Sequence, residues 1–304
     1  MASLASSRGQ VSNCPSNRKF TLACASLRPL GVIMESAVNQ TAENLPERIS
    51  GWTELSSLVE HFSYFAGHAW LFRGTTDATH KLIPKIGRET ARAEKVDAQT
   101  QRRVRIPYRM LDERAVFAMF KQQARAHLLS PPQSDLEWLA IAQHFGLPTR
   151  LLDGTDSLLV AAWFAVEKGG AGKNDSAIWI SKGARAIEMD HQGEVLNFAE
   201  PFSYRPPHIN PRITAQGSVF VICPQPTEEL ALPFVRKIVI DRSAHFTIKK
   251  RLNACGISRR HLFPDLAGLS DHLAWTYKHD WLAGYRTDTT PSSASKETPE
   301  ETAE

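Results

Sequence analysis

The sequence predicts an α+β fold, with helices mainly in the first half and a short-stranded sheet mainly in the second, gathered around a polar cleft. Three observations carry this. Apolar residues recur at helical spacing between Thr53 and Leu129 and again from Leu136. Short β-branched runs come later, at Ala177–Ile180, Ser218–Ile222 and Val235–Ile240. The two signals segregate along the chain, which favours α+β over an alternating α/β sheet.

Taken in order, Leu55, Leu58, Val59, Phe62 and Phe65 mark a helix over Thr53–Phe65. Ala69 to Phe72 reads as a short apolar strand running into Arg73-Gly74. The basic run Lys85–Arg109, broken by Glu89, Glu94 and Asp97, reads as a solvated insertion rather than a nucleic-acid contact, because interleaved aromatics are missing. Asp112 caps a helix to Leu129 with Ala115, Phe117, Phe120 and Ala124 apolar. Ser134 followed by Glu137 forms a capping box, and Asp135 suits the positive first turn. Leu136, Leu139, Ala140, Gln143 and His144 then share helical spacing, until Gly146 offers a left-handed cap and Pro148 prevents continuation. A tight polar loop is expected next. A second helix starts at Thr155 or Asp156, stops before Gly169-Gly170, and has almost no polar face over Leu158–Val166, so it is buried all round. After the strands, Ser243 caps a helix to Ala254, with Gly256 as its stop.

Composition sets the bounds. A chain of 304 residues makes one large domain or two small ones, and a hydrophobic fraction of 42% fills a sizeable core. A net charge of +4 is too mild to argue for nucleic-acid binding. Cys14, Cys24, Cys223 and Cys255 lack metal-type spacing and suit a reduced cytoplasmic setting. No apolar run is long enough to span a bilayer, so no membrane partner is expected. Residues 1–34 hold Arg8, Arg18, Lys19 and Arg28 and no acidic residue, amid many Ser and Ala. They read as a disordered or misassigned start, with translation from Met34, or else as a transit peptide. Residues 287–304, rich in Thr, Ser, Pro and Glu, read as a disordered tail, which leaves 35–286 as a single domain.

The chemistry concentrates in two places. Thr149, Arg150, Asp153 and Thr155 lie between apolar walls, so the loop satisfies its own hydrogen bonds, holds a ligand, or does both. Arg73 is permanently charged and suited to phosphate, carboxylate or vicinal hydroxyls; its structural alternative is an ion pair with Asp153. His144 suits general acid/base work near neutral pH, or caps its own helix end. Gln143 and Gln216 offer amides to a base or a carboxamide. Trp138, Trp163 and Trp179 read as core. There is no nucleophile elbow, zinc motif or Walker loop, and the eleven His lack i, i+4 pairing, so no metal is expected.

Phe72-Arg73-Gly74, with His144-Phe145-Gly146-Leu147-Pro148-Thr149-Arg150-Leu151-Leu152-Asp153-Gly154-Thr155, closely resembles the FRG domain family. The similarity continues in Arg212-Ile213, Gln216-Gly217 and Phe220, then Gly256-Ile257 and Leu262-Phe263-Pro264-Asp265-Leu266 with Gly268-Leu269, covering roughly Gly51 to Leu273. Two positions depart: Thr75 stands where the family usually has Gln, and Gly154 where it usually has Trp. The resemblance implies a protein of bacterial or phage-related gene sets, often of the conflict or defence kind. Aromatic-Arg-Gly at a strand end also resembles the first motif of ADP-ribosyltransferases, an α+β family in which the Arg holds NAD. That resemblance implies that Arg73 holds NAD, that Thr149, Thr155 and Ala161-Ala162-Trp163-Phe164 line the nicotinamide side, and that the helix after Thr155 offers its N-terminus to pyrophosphate; the candidate catalytic residues are then Arg73, His144 and Asp153, and the candidate NAD-binding residues Arg73, Gly74, Thr149, Arg150, Thr155 and Gln216. No Gln-x-Glu or Glu-x-Glu follows a late strand, leaving Glu194 and Glu200 as substitute carboxylates.

Three readings are open. In the first, an NAD- or nucleotide-consuming transferase or glycohydrolase brings these side chains into one cleft with a carboxylate facing Arg73. In the second, a non-catalytic module binds a nucleotide or other anionic small molecule and signals to a protein partner. In the third, Arg73 and Arg150 are spent on Asp153 and backbone carbonyls, and no pocket forms.

Overall fold

The computed structural model describes residues 45–63, 70–89, 94–168, 172–187, 194–207 and 210–279. The expectations for residues 1–34 and for the tail 287–304 lie outside them. Apart from Leu45, the described residues belong to the compact unit Pro46–Glu304.

The class is α+β. Eight strands form one mixed sheet in the order β1 (Arg48–Ile49), β10 (Phe234–Ile240), β6 (Ser176–Lys182), β2 (Leu71–Thr75), β5 (Leu151–Thr155), β9 (Ser218–Ile222), β8 (Phe202–Tyr204), β7 (Arg185–Ala186). The inner pairings are antiparallel, and the outermost pair at each edge, β1 with β10 and β7 with β8, is parallel. β3 (Glu94–Val96) and β4 (Arg103–Arg105) make a separate exposed hairpin, tied by Arg105 to Glu89 and Glu94. This is the solvated part of the expected insertion. Strands fall mainly in the second half as the β-branched runs require, while helices continue through it. They are α1 (Trp52–Ser63), α2 (Met110–Ala124), α3 (Asp135–His144), α4 (Leu158–Ala165), α5 (Pro211–Ala215), α6 (His245–Ala254), α7 (Arg259–Leu262) and α8 (Leu266–Lys278). No helix among the described residues is long and apolar enough to cross a membrane.

Several helix ends fall where the sequence sets them. Ser134 Oγ accepts from Glu137 N at 3.3 Å, although Glu137 returns its carboxylate to Gln133 N instead of Ser134 N, shifting the box by one residue. Gly146, at φ 93°, closes α3 with Leu147 N donating to Ala142 O. Gly256, at φ 86°, ends α6 in the same way. Other boundaries moved. α2 begins two residues before Asp112, and α6 is entered through a 3-10 turn, Arg242–Ala244, which removes Ser243 from the cap. α4 starts at Leu158 with Ser157 as N-cap, in place of Thr155 or Asp156.

The main correction concerns the polar loop. Leu151–Thr155 is β5, a central strand paired with β2 on one side and β9 on the other. Asp and Gly are poor strand formers, but two flanking ladders and burial of Leu151 and Leu152 override that propensity. Leu151 packs with Phe220 and Ile222 beneath α3, whereas Leu152, Val219 and Val221 pack on the opposite face with Leu71 and Leu82. Arg73 likewise lies within β2 and not at its end. Trp138 and Trp163 are core, as expected, and α4 is buried almost all round.

Candidate functional site

β2 and β5 are joined at a single bridge, Phe72 with Thr155. Continuing that register sets Arg73 opposite Gly154, but the ladder is not continued there. Arg73 closes the gap: its Nη1 donates to the Asp153 carbonyl and lies 3.5 Å from Asp153 Oδ2. The split between two central strands, filled by a guanidinium, forms the floor of a cleft of about 280 Å³.

Gly74 has a steric duty at this floor. A Cβ there would sit 2.0 Å from Ala161 O and 2.6 Å from Ala165 N, so only glycine lets α4 lie this close to β2. α4 then presents Phe164 to the cleft. From α3 come Gln143 and His144. Gln143 Nε2 donates to Leu151 O at 3.2 Å and to Asp153 Oδ1 at 2.8 Å, while its Oε1 accepts from Thr149 Oγ1 at 2.6 Å. The far wall comes from α5 and the turn after α7. Arg212 binds Asp265 Oδ2 through Nε at 3.0 Å and Nη2 at 2.5 Å, and its guanidinium lies 5.0 Å from the Phe263 ring centre. Gln216 Nε2 donates to Leu262 O at 3.0 Å, leaving Oε1 without a hydrogen bond among the described residues.

His144 makes no hydrogen bond among the described residues and does not cap its own helix; the Phe145 amide, donating to Ile141 O, closes that turn. Burial lowers its pKa, the Arg212 charge lowers it further, and Asp265 opposes only in part. The imidazole is therefore neutral at neutral pH and open to the cleft.

Of the residues singled out in the sequence, Arg73, Gly74, His144, Asp153, Thr155 and Gln216 converge here. Thr155 is already engaged: its Oγ1 donates to Gln216 O and accepts from Ser157 N. Thr149 stands behind the cleft, fixing Gln143.

Arg150 is elsewhere, and the structure corrects its expected place. It is fully buried, bidentate on Glu113 at 3.0 and 2.6 Å, and donates further to Leu196 O, Pro224 O and the Tyr108 hydroxyl. Burial alone presses its pKa down, but Glu113 outweighs this and raises it. The helix-terminus seat for pyrophosphate is also not offered. Ser157 caps α4, and Asp156, bound to Arg205 at 2.7 Å, sets a carboxylate beside that end. Glu194 binds Arg114 and lies outside the cleft, and Glu200 is exposed and does not line it. No group of metal-binding side chains occurs among the described residues.

Phe164, expected beside a nicotinamide, does line the cleft, whereas Arg212 and Phe263 were not expected in the site. Both belong to blocks that the sequence had singled out, Arg212–Phe220 and Leu262–Leu269, and residues of both blocks line this cleft. Glu113 was also missed. It precedes Phe117 by one helical turn, and a carboxylate on that apolar face demands a cation.

No curated protein and no solved structure matches the chain. A family model, described as FRG domain, matches residues 68–174, which hold Arg73, Gly74, Gln143, His144, Asp153, Gly154 and Thr155 of the cleft. It is this span that is similar to the FRG domain.

Proposed function

We propose that the cleft binds a nucleotide, NAD foremost, and cleaves its bond to nicotinamide, with the protein acting in the cytoplasm of a bacterium in a conflict or defence setting. One observation carries the reading. Arg73 at the floor and Arg212 in the far wall line a single cleft that also holds Phe164 and Phe263, a neutral His144 and an amide oxygen of Gln216, the last two without a hydrogen bond among the described residues. Arginines suit phosphate, aromatic faces suit a base, and an amide pairs with a carboxamide. The volume of about 280 Å³ lies just below the usual range of ligand pockets, roughly 300–1,000 Å³. It suits a mononucleotide-sized portion, with the rest of a dinucleotide lying outside.

For cleavage, the bond from ribose C1′ to the nicotinamide nitrogen breaks, and its electron pair leaves with neutral nicotinamide. Asp153 stabilises the oxocarbenium-like sugar, water bonds to C1′, and His144 takes the proton that the water loses. A second reading has its own support: both oxygens of Asp153 are already held, by Arg73 and Gln143, and no glutamate lines the cleft among the described residues. Under it the domain binds the nucleotide without turnover and reports to a protein partner.

The test is nicotinamide release from NAD by the full chain beside its Arg73→Ala variant, with NAD binding measured in parallel. Release that disappears in a folded variant supports the enzyme. Binding without release supports the sensor, and neither binding nor release overturns both.

A further inference from the structure

We propose that Gln216 selects the ring substituent of the ligand, taking a nicotinamide carboxamide through its Oε1 and refusing the corresponding carboxylate. This rests on the nucleotide-binding reading and adds a specificity-determining residue to it.

Gln143 and Gln216 both bring an amide to the cleft, and their hydrogen bonds separate them. Gln143 is spent. Thr149 Oγ1 accepts from Leu151 N at 3.1 Å, so its own proton goes to Gln143 Oε1 at 2.6 Å. That fixes the amide, whose Nε2 then meets Leu151 O at 3.2 Å and Asp153 Oδ1 at 2.8 Å. The oxygen and both amide hydrogens of Gln143 have partners.

Gln216 is held in place but not spent. Its backbone N donates to Arg212 O at 2.9 Å at the end of α5, and its carbonyl accepts from Thr155 Oγ1 of β5 at 2.7 Å. Its Nε2 donates to Leu262 O at 3.0 Å. A carbonyl only accepts, so the amide cannot turn round without setting two oxygens against each other. The half-buried side chain is therefore left with Oε1 as an acceptor that no described residue meets.

That acceptor calls for an N–H. A carboxamide supplies one, whereas a carboxylate is acceptor-only and would face Oε1 with like polarity. The surroundings point the same way. Arg212, on the same helix, is already paired with Asp265 Oδ2, and Asp265 Oδ1 accepts from Gly268 N at 2.7 Å. Phe263 follows the carbonyl that holds Gln216, and its ring centre lies 6.2 Å from that of Phe164, so apolar surface adjoins the amide. A carboxylate entering here sheds water and finds Arg212 already matched, which costs more than placing a neutral amide.

The probes are nicotinamide mononucleotide and nicotinic acid mononucleotide, which differ only in that substituent, titrated calorimetrically into the full chain and its Gln216→Met variant. A lost hydrogen bond that leaves a polar group unpaired is worth about tenfold or more in affinity. The wild type should bind the amide at least about tenfold tighter than the acid. Gln216→Met should bring the two within about threefold, chiefly by weakening the amide. Equal binding by the wild type, a preference for the acid, or a folded variant that keeps the amide preference overturns the role of Gln216 and leaves the cleft reading intact. Should Gln216→Met fail to fold, Gln216→Leu is read the same way, and the wild-type ranking decides by itself. A wild-type chain that binds neither probe overturns the cleft reading and this inference with it.

Discussion

Replacing Arg150 with Met leaves Glu113, which is 4% exposed, as a buried carboxylate without its cation. It also removes the donors to Leu196 O, Pro224 O and Tyr108. Breaking a buried pair from one side costs about 3–5 kcal/mol. A domain is typically stable by about 5–15 kcal/mol, so the loss is a large fraction of the whole. At about 2–4 °C per kcal/mol for a domain of this size, the thermal midpoint should fall by about 6–20 °C. The double variant Arg150→Met/Glu113→Leu removes both charges and should recover at least about 2 kcal/mol of that loss, because the stranded carboxylate is gone. Urea and thermal unfolding followed by circular dichroism at about pH 7.5 measure all three changes, with Glu113→Leu closing the cycle. A single variant costing under about 1 kcal/mol, or a double variant no better than the single, refutes the assignment of Arg150 to the framework.

Two glycines separate steric from conformational cost. Gly74→Ala meets backbone atoms of α4 on two sides and should destabilise by about 1–3 kcal/mol or more, whereas Gly146→Ala, with nothing within 4 Å but φ at 93°, should cost about 1 kcal/mol; equal small effects in urea unfolding would contradict both accounts. Acid should destabilise the fold. His144, His245 and His272 all have pKa values lowered chiefly by burial, so between the unfolded value near 6.5 and their folded values the unfolded chain holds more protons. Their contribution is intact above about pH 6.5 and is lost as pH falls below it, and a midpoint that stays flat or rises between about pH 7 and pH 5 contradicts this. Cys223, pushed up to about 12 by burial, should remain unreacted with a thiol reagent in the native chain at about pH 8 while Cys255, which is exposed, labels; equal labelling would show that the sheet face around Cys223 is open.

The legible parts of the fold are those whose signals are local. Ser134, Gly146 and Gly256 mark helix ends because caps are settled within one turn of chain. β6, β9 and β10 were readable because Ile and Val crowd them. β5 was not, since Leu-Leu-Asp-Gly-Thr becomes a strand only through β2 and β9, which are distant in the chain. The same blindness misplaced Arg150. Beside Thr149 and Asp153 it read as a cleft residue, and nothing nearby in sequence announced Glu113 as its partner 37 positions away. Arg73 with Asp153 was foreseen as a pair, but not that it bridges a split in the sheet and leaves a cleft above it. Arg212 and Phe263 lay in blocks that the sequence singled out, yet their chemistry became visible only when α5 and the turn after α7 brought them to the far wall of the cleft.

The most direct measurement is a calorimetric titration of NAD into the full chain and into its Arg73→Gln and Arg212→Gln variants, each confirmed folded by its thermal midpoint. The account predicts saturable one-site binding to the wild type, weakened about tenfold or more by either substitution. Wild-type binding that neither substitution changes would mean that the ligand sits elsewhere and that the cleft between the two arginines is not its site.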